Sequence, residues 1–170
     1  MKTSALKLYA LDYGQAKTYL LAGLFILGNL LLPQLLHQIP QGGATWLPIY
    51  LFTLIGAYKY GWKVGLMTAL ISPLANAALF GMPAVEMLPI LLVKSTLMAL
   101  MAGLVAQRTQ RASLLLIASV VVGYQVVGSL VEWALTGSLQ LALQDLRIGM
   151  PGILLQIFGG WAVLNYLLRK

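Results

Sequence analysis

Ala112–Leu135, ASLLLIASVVVGYQVVGSLVEWAL, holds a single charged side chain, Glu132, close to its end. A spanning helix needs about 20 mostly apolar residues at about 1.5 Å rise each, and this stretch is long enough. Its surroundings repeat the pattern. Five more apolar stretches are predicted as spans: 18–36, 45–58, 64–80, 84–106 and 151–168. Breaks fall at HQIPQGG (37–43), at the Lys59–Lys63 turn, at Gly81-Met82-Pro83, at Arg108–Arg111 and across 136–150. The second stretch is the shortest, and the fourth carries Pro89 and Lys94.

Composition agrees. The 170 residues are 60% hydrophobic and 9% charged, against about 45–50% and about 25% in soluble domains. So few charges leave too little polar surface to solvate a small globule. A soluble domain, a disordered tail and a disulfide mini-protein are excluded. The chain has no cysteine, which removes thiolate chemistry, and one histidine, His37, which removes the common His-rich metal sites. No metal or other cofactor is expected. Before Thr18 the N-terminal stretch lacks the apolar core of a cleaved signal peptide, so the first span is expected in the mature protein.

The net charge of +7 does not indicate nucleic acid, because the basic residues lie between apolar runs rather than on one face. Their placement sets orientation. With six spans and a cytoplasmic N-terminus, the inner side holds Lys2, Lys7, Lys17, Lys59, Lys63, Arg108, Arg111, Arg169 and Lys170. Arg147 falls outside and Lys94 within a span. Omitting the short second span would strand Lys59 and Lys63 on the wrong side. The expectation is one all-α membrane domain, a six-helix bundle with both termini inside, in the cell membrane. LQLALQDLRIG (139–149) in the last outer loop reads as a short surface helix.

Polar side chains inside a bilayer are costly and normally face the bundle interior or a watery cavity. Measured along each helix, Asn29, Asn76, Lys94, Glu132 and Gln156 all fall about 6–12 Å below the outer ends. Gln125 lies near the midplane, and Asn165 is the main polar group of the inner half. On the fifth helix Gln125, Gly128 and Glu132 share a face. These positions predict an outward-opening pocket with Lys94 and Glu132 paired across it. Asn76, Lys94, Gln125, Glu132 and Gln156 are its candidate binding residues, with Trp46 and Trp133 as candidate walls. The blander reading has Lys94 snorkelling and Glu132 in interfacial water. His37, Met82 and Met87 near the mouth are weaker candidates. Gly14, Thr18 and Ala22 form a small-residue stripe on the first helix, open to contact within the bundle or with a partner.

The stretch LPIYLFTLIGAYKYGWKVGLMTALISPLANAALFGMP (47–83), followed by the helix with Pro89 and Lys94, resembles the substrate-binding S-components of energy-coupling-factor vitamin transporters. Gly56 and Gly61 about a basic turn, Gly65, Ser72-Pro73 and Gly81-Met82-Pro83 carry the likeness. The resemblance implies a six-helix protein that captures a vitamin or similar micronutrient in its outer half. It further implies a coupling transmembrane subunit and two ATPase subunits as partners. Thr18-x-x-x-Ala22 stands where the family has A-x-x-x-A. No substrate signature carries over, so cobalamin, haem, thiamine, folate and pantothenate all remain open.

No G-x-x-x-x-G-K-[ST], H-E-x-x-H or G-x-S-x-G motif occurs, so an enzyme is disfavoured and energy for uptake must come from a partner. A self-sufficient carrier or channel, an intramembrane enzyme and a ligand-free structural subunit are the competing readings.

Overall fold

A computed structural model describes residues 7–167. Lys2, Arg169, Lys170 and the predicted end of the last span at Leu168 lie outside the described residues. The described chain is helical, without strands. Its main helices are α1 (Ala16–Leu36), α2 (Gly42–Trp46), α3 (Leu51–Tyr60), α4 (Trp62–Phe80), α5 (Leu88–Thr109) and α6 (Leu114–Thr136). Two short helices, α7 (Leu139–Ala142) and α8 (Gln144–Arg147), precede α9, which covers Met150–Leu167 with widened π turns over Leu155–Gly159 and Val163–Leu167.

Among the described residues five helices are long and apolar enough to cross a membrane: α1, α4, α5 extended back to Val85, α6 and α9. The outward faces fit that solvent. Leu20, Leu24, Leu27, Leu31 and Leu35 of α1 are each more than half exposed, as are Leu115, Leu130 and Leu135 of α6. Apolar surface this continuous is rare on a soluble monomer.

The predicted second span takes a different form. Pro48 disfavours the right-handed helical region at Leu47, and Leu47 adopts a left-handed conformation at φ 45°, at a cost of about 1–2 kcal/mol. The segment therefore breaks into α2, a 3₁₀ turn at Pro48–Tyr50 and the ten-residue α3. This helix is too short to cross a bilayer by itself, but it is shielded. Thr53 to Lys59 are all buried, and α3 packs against α1, α4, α5 and α9.

Small residues set the helix spacing. A Cβ on Gly65 would lie 2.3 Å from the Cβ of Ala57, and one on Gly103 would lie 2.5 Å from the backbone nitrogen of Trp62. Larger side chains there would force α4 away from α3 and from α5. Capping follows the sequence. Ser113 accepts from the Leu116 N–H at the start of α6, and Gly137 ends that helix at φ 67°.

Two ends result. At the basic end, where α1 begins, the N-terminal segment crosses the α3–α4 turn: the Tyr9 and Leu11 amides donate to the Lys59 and Tyr60 carbonyls. Gly61 permits this approach, with φ 102° and Ala10 Cα only 3.2 Å from where a Cβ would stand. The Lys63 ammonium donates to Asp12 at 2.6 Å and holds that carboxyl below its ordinary value. Lys7, Lys17 and Lys59 lie 5.1–5.6 Å from the Tyr9 ring. Tyr58 Oη donates to the Arg111 carbonyl and Asn165 Nδ2 to that of Ala112, tying α3 and α9 to the α5–α6 turn. The opposite end is formed by α2, α7, α8 and the loop from Gly81 to Ala84.

Gly103→Ala is expected to lower stability by about 1–3 kcal/mol, because the added methyl meets backbone rather than a movable side chain. Thermal unfolding in mild detergent checks this. An unchanged midpoint would mean that α4 and α5 pack less closely than described.

Candidate functional site

A cavity of about 250 Å³ opens at the end opposite the basic turn. Its walls come from the end of α1 (Pro33, Gln34, His37), the α2–α3 segment (Gly43, Ala44 and 47–50), Asn76 of α4, the Met82-Pro83 turn, the start of α5, and Glu132, Gln144 and Asp145. Most of the wall is apolar, with a few convergent polar groups, as in small-molecule sites.

The charged floor begins with Lys94, two turns into α5. Its stem crosses Gly128 of α6, where a Cβ would lie 2.7 Å from Lys94 Cγ. The ammonium then meets two carboxylates, donating to Glu132 Oε2 at 2.5 Å and to Asp145 Oδ2 at 2.7 Å. The side chains of Lys94 and Glu132 are only 3% and 5% exposed, whereas that of Asp145 is 20% exposed. The predicted Lys94–Glu132 pair is present, and neither group snorkels. Asp145 was not anticipated. The sequence predicts a surface helix for this part of the outer loop, but α7 and α8 fold inward, burying Ala142 and bringing Asp145 against the ammonium.

Asn76 reaches the wall through a network that begins with a proline. Pro33 has no N–H, so the Asn29 carbonyl lacks its helical donor. Asn76 Nδ2 donates to that carbonyl at 2.9 Å and to the Ser72 carbonyl at 3.0 Å. Both partners can only accept, which fixes the amide orientation and leaves Oδ1 unpartnered among the described residues. The Asn29 side chain donates to Thr53 Oγ1 at 3.0 Å and Ser72 Oγ at 3.3 Å. Its role is to join α1, α3 and α4 below the cavity. At the rim, His37 Nδ1 lies 2.8 Å from the Pro33 carbonyl. Since a carbonyl cannot donate, Nδ1 carries the proton, and in the neutral ring Nε2 is an acceptor.

Other candidates are placed elsewhere. Gln125 and Gln156 are buried but do not line the cavity. Gln156 Oε1 accepts from Tyr124 Oη at 2.8 Å, and the Tyr124 ring packs 5.4 Å from that of Tyr50, a wall residue. They form a layer behind the wall, in which both amide atoms of Gln125 and the Ser95 and Ser129 hydroxyls are unpartnered among the described residues. Trp133 is 48% exposed on the outside of α6 and does not line the cavity. Trp46 does not line it either. Instead its backbone seats Gly152, where a Cβ would approach the Trp46 carbonyl to 2.4 Å. His37, Met82 and Met87 all border the cavity.

The small-residue stripe needs correction. Thr18 and Ala22 are fully buried, and Thr18 Oγ1 donates to the Asp12 carbonyl at 2.5 Å. Gly14 precedes α1 and is exposed. Thr18 and Ala22 therefore pack within the bundle and present nothing to a partner, because the outward face of α1 is its leucine row. Among the described residues no group of three or more His, Asp or Glu is arranged to hold a metal ion.

A buried charge left without its partner is expensive, about 3–5 kcal/mol when one member of a buried pair is removed. Lys94→Met is expected to destabilise by about that amount, and adding Glu132→Gln should restore part of the loss. Thermal unfolding of the single and double variants checks this. Strictly additive losses would show that the two groups are not coupled.

No known family, curated protein or solved structure matches this chain.

Proposed function

We propose that the protein is a membrane-embedded solute-binding subunit that captures a small nutrient from outside the cell. The observation that carries this reading is the cavity at one end of an otherwise apolar bundle, with the ionic cluster of Lys94, Glu132 and Asp145 in its floor. Ionic groups inside a membrane protein are costly and mark substrate paths by default. Here they meet a concave, mostly apolar wall rather than lipid.

On this reading α3 counts as a sixth traverse, held inside the bundle, and both termini lie in the cytoplasm. Lys7, Lys17, Lys59, Lys63, Arg108 and Arg111 gather at the basic end, against Arg147 at the cavity end, which supports that orientation. The cavity then faces outward. Its volume lies near the lower end for small-molecule sites, about 300–1,000 Å³. A compact solute is favoured over one the size of cobalamin or haem.

Uptake is proposed to depend on a coupling transmembrane subunit and ATPase subunits, as in energy-coupling-factor importers, because the chain carries no phosphate-binding loop of its own. The coupling contact would fall on a face other than that of Thr18 and Ala22. Proton-relay chemistry has little support, since the cavity's ionic groups are already paired with one another.

Two measurements test this function. The chain has no cysteine, so single-cysteine variants report topology cleanly. In intact cells a membrane-impermeant maleimide is expected to label Ser138→Cys and to spare Gln110→Cys, and the reverse pattern would overturn the orientation. Native mass spectrometry of the chain purified in mild detergent is expected to reveal a bound small molecule that is lost in Asp145→Asn. Retention of that molecule at full occupancy in the variant would remove the cavity from solute binding.

A further inference from the structure

The cavity differs in charge from the chain that builds it. The sequence carries a net charge of +7, with 11 basic and four acidic residues. Two of those four acids line the cavity, and Lys94 is the one Lys or Arg lining it among the described residues, giving +1 − 2 = −1 when all three are ionised. Arg147, two positions after Asp145, is exposed and does not line it. His37 borders the rim as a ring whose Nδ1 proton is spent on the Pro33 carbonyl.

Hydrogen-bonding capacity leans the same way. Asn76 is 1% exposed and lines the cavity with its amide nitrogen fully engaged, so Oδ1 is an unpartnered acceptor among the described residues. Each carboxylate gives one oxygen to Lys94, which leaves lone pairs on both groups for other donors. His37 Nε2 adds an acceptor in the neutral ring. Against these stand fewer donors: Gln34 Nε2, unpartnered among the described residues, the side-chain amide of Gln144, and the third N–H of the Lys94 ammonium.

We infer that the solute is a small organic cation bearing N–H donors, its charge set against Asp145 and Glu132 and its donors directed to acceptors including Asn76 Oδ1. This specifies the substrate class of the site proposed above and rests on that reading. The physical reason is the unequal charge count. Lys94 neutralises one carboxylate, and the second leaves a net negative charge at low dielectric, where an arriving cation is attracted strongly and an anion repelled. Asp145 is the carboxylate that meets the incoming charge, because it is the more exposed of the two. An apolar ring on the solute would lie against Leu47, Ile90 and Tyr50.

Three probes of nearly equal shape separate charge from size: benzamidinium, benzamide and benzoate. The full chain in lipid nanodiscs is titrated with each at neutral pH by ligand-observed NMR, with empty nanodiscs as the blank. Benzamidinium is expected to bind about tenfold or more tightly than benzamide, and benzoate more weakly than either. Asp145→Asn, an isosteric change at a partly exposed position, is expected to bring benzamidinium and benzamide within about twofold of each other. Benzamide or benzoate binding as tightly as benzamidinium would overturn the cation assignment while leaving a solute site in place. A full preference for the cation in Asp145→Asn would overturn it too. If none of the three bound at millimolar concentration, the solute site itself would fall, and this assignment with it.

Discussion

An ammonium group held between two carboxylates inside an apolar bundle is the constraint around which this end of the molecule is arranged. Charges removed from water require close partners, and Lys94 finds them on two different elements, α6 and α8. Satisfying that requirement fixes much else. Gly128 must lack a side chain so that the lysine stem can cross α6. The loop after α6 must turn inward to deliver Asp145. The floor of the cavity is therefore set by electrostatics, while its walls are set by packing.

Prolines and glycines do the complementary work. Pro33 frees the Asn29 carbonyl, Asn76 takes it, and the α1–α4 seam is tied just below the cavity. At Pro48 the helix is interrupted by the left-handed Leu47, and the α2–α3 segment forms a wall instead of a long straight helix. Gly65 and Gly103 draw α3, α4 and α5 together, so that the short α3 is sheltered on all sides. A helix too short to cross a bilayer is tolerated where protein, rather than lipid, surrounds it.

Much of this was legible in the sequence because hydropathy reports directly on the solvent. The five long helices fall within a few residues of the apolar runs, and α6 differs from 112–135 only by its Ser113 cap and Gly137 stop. The Lys94–Glu132 pair was legible for the same reason, since two opposite charges at similar depth have few other partners. What could not be read is tertiary. Asp145 lies in an amphipathic loop whose inward fold depends on where Ala142 docks, and nothing local signals that. Thr18 and Ala22 show the converse problem: a small-residue stripe permits close packing, but the pattern does not say whether the neighbour is this chain or another. Gln125 and Gln156 read as cavity residues in the sequence but lie behind the wall, because depth along a helix does not distinguish a cavity wall from the layer behind it. For Trp133, position near a helix end gave no information about which way the ring faces.

The central claim is that the space above Lys94, Glu132 and Asp145 holds a guest molecule. An experimental structure of the chain, isolated gently from its native membrane, is the most direct measurement. Density for a compact small molecule in contact with Asp145 and Asn76 is the result this account predicts. A cavity closed by the protein's own side chains, or filled by a lipid tail that ignores the ionic cluster, would contradict it.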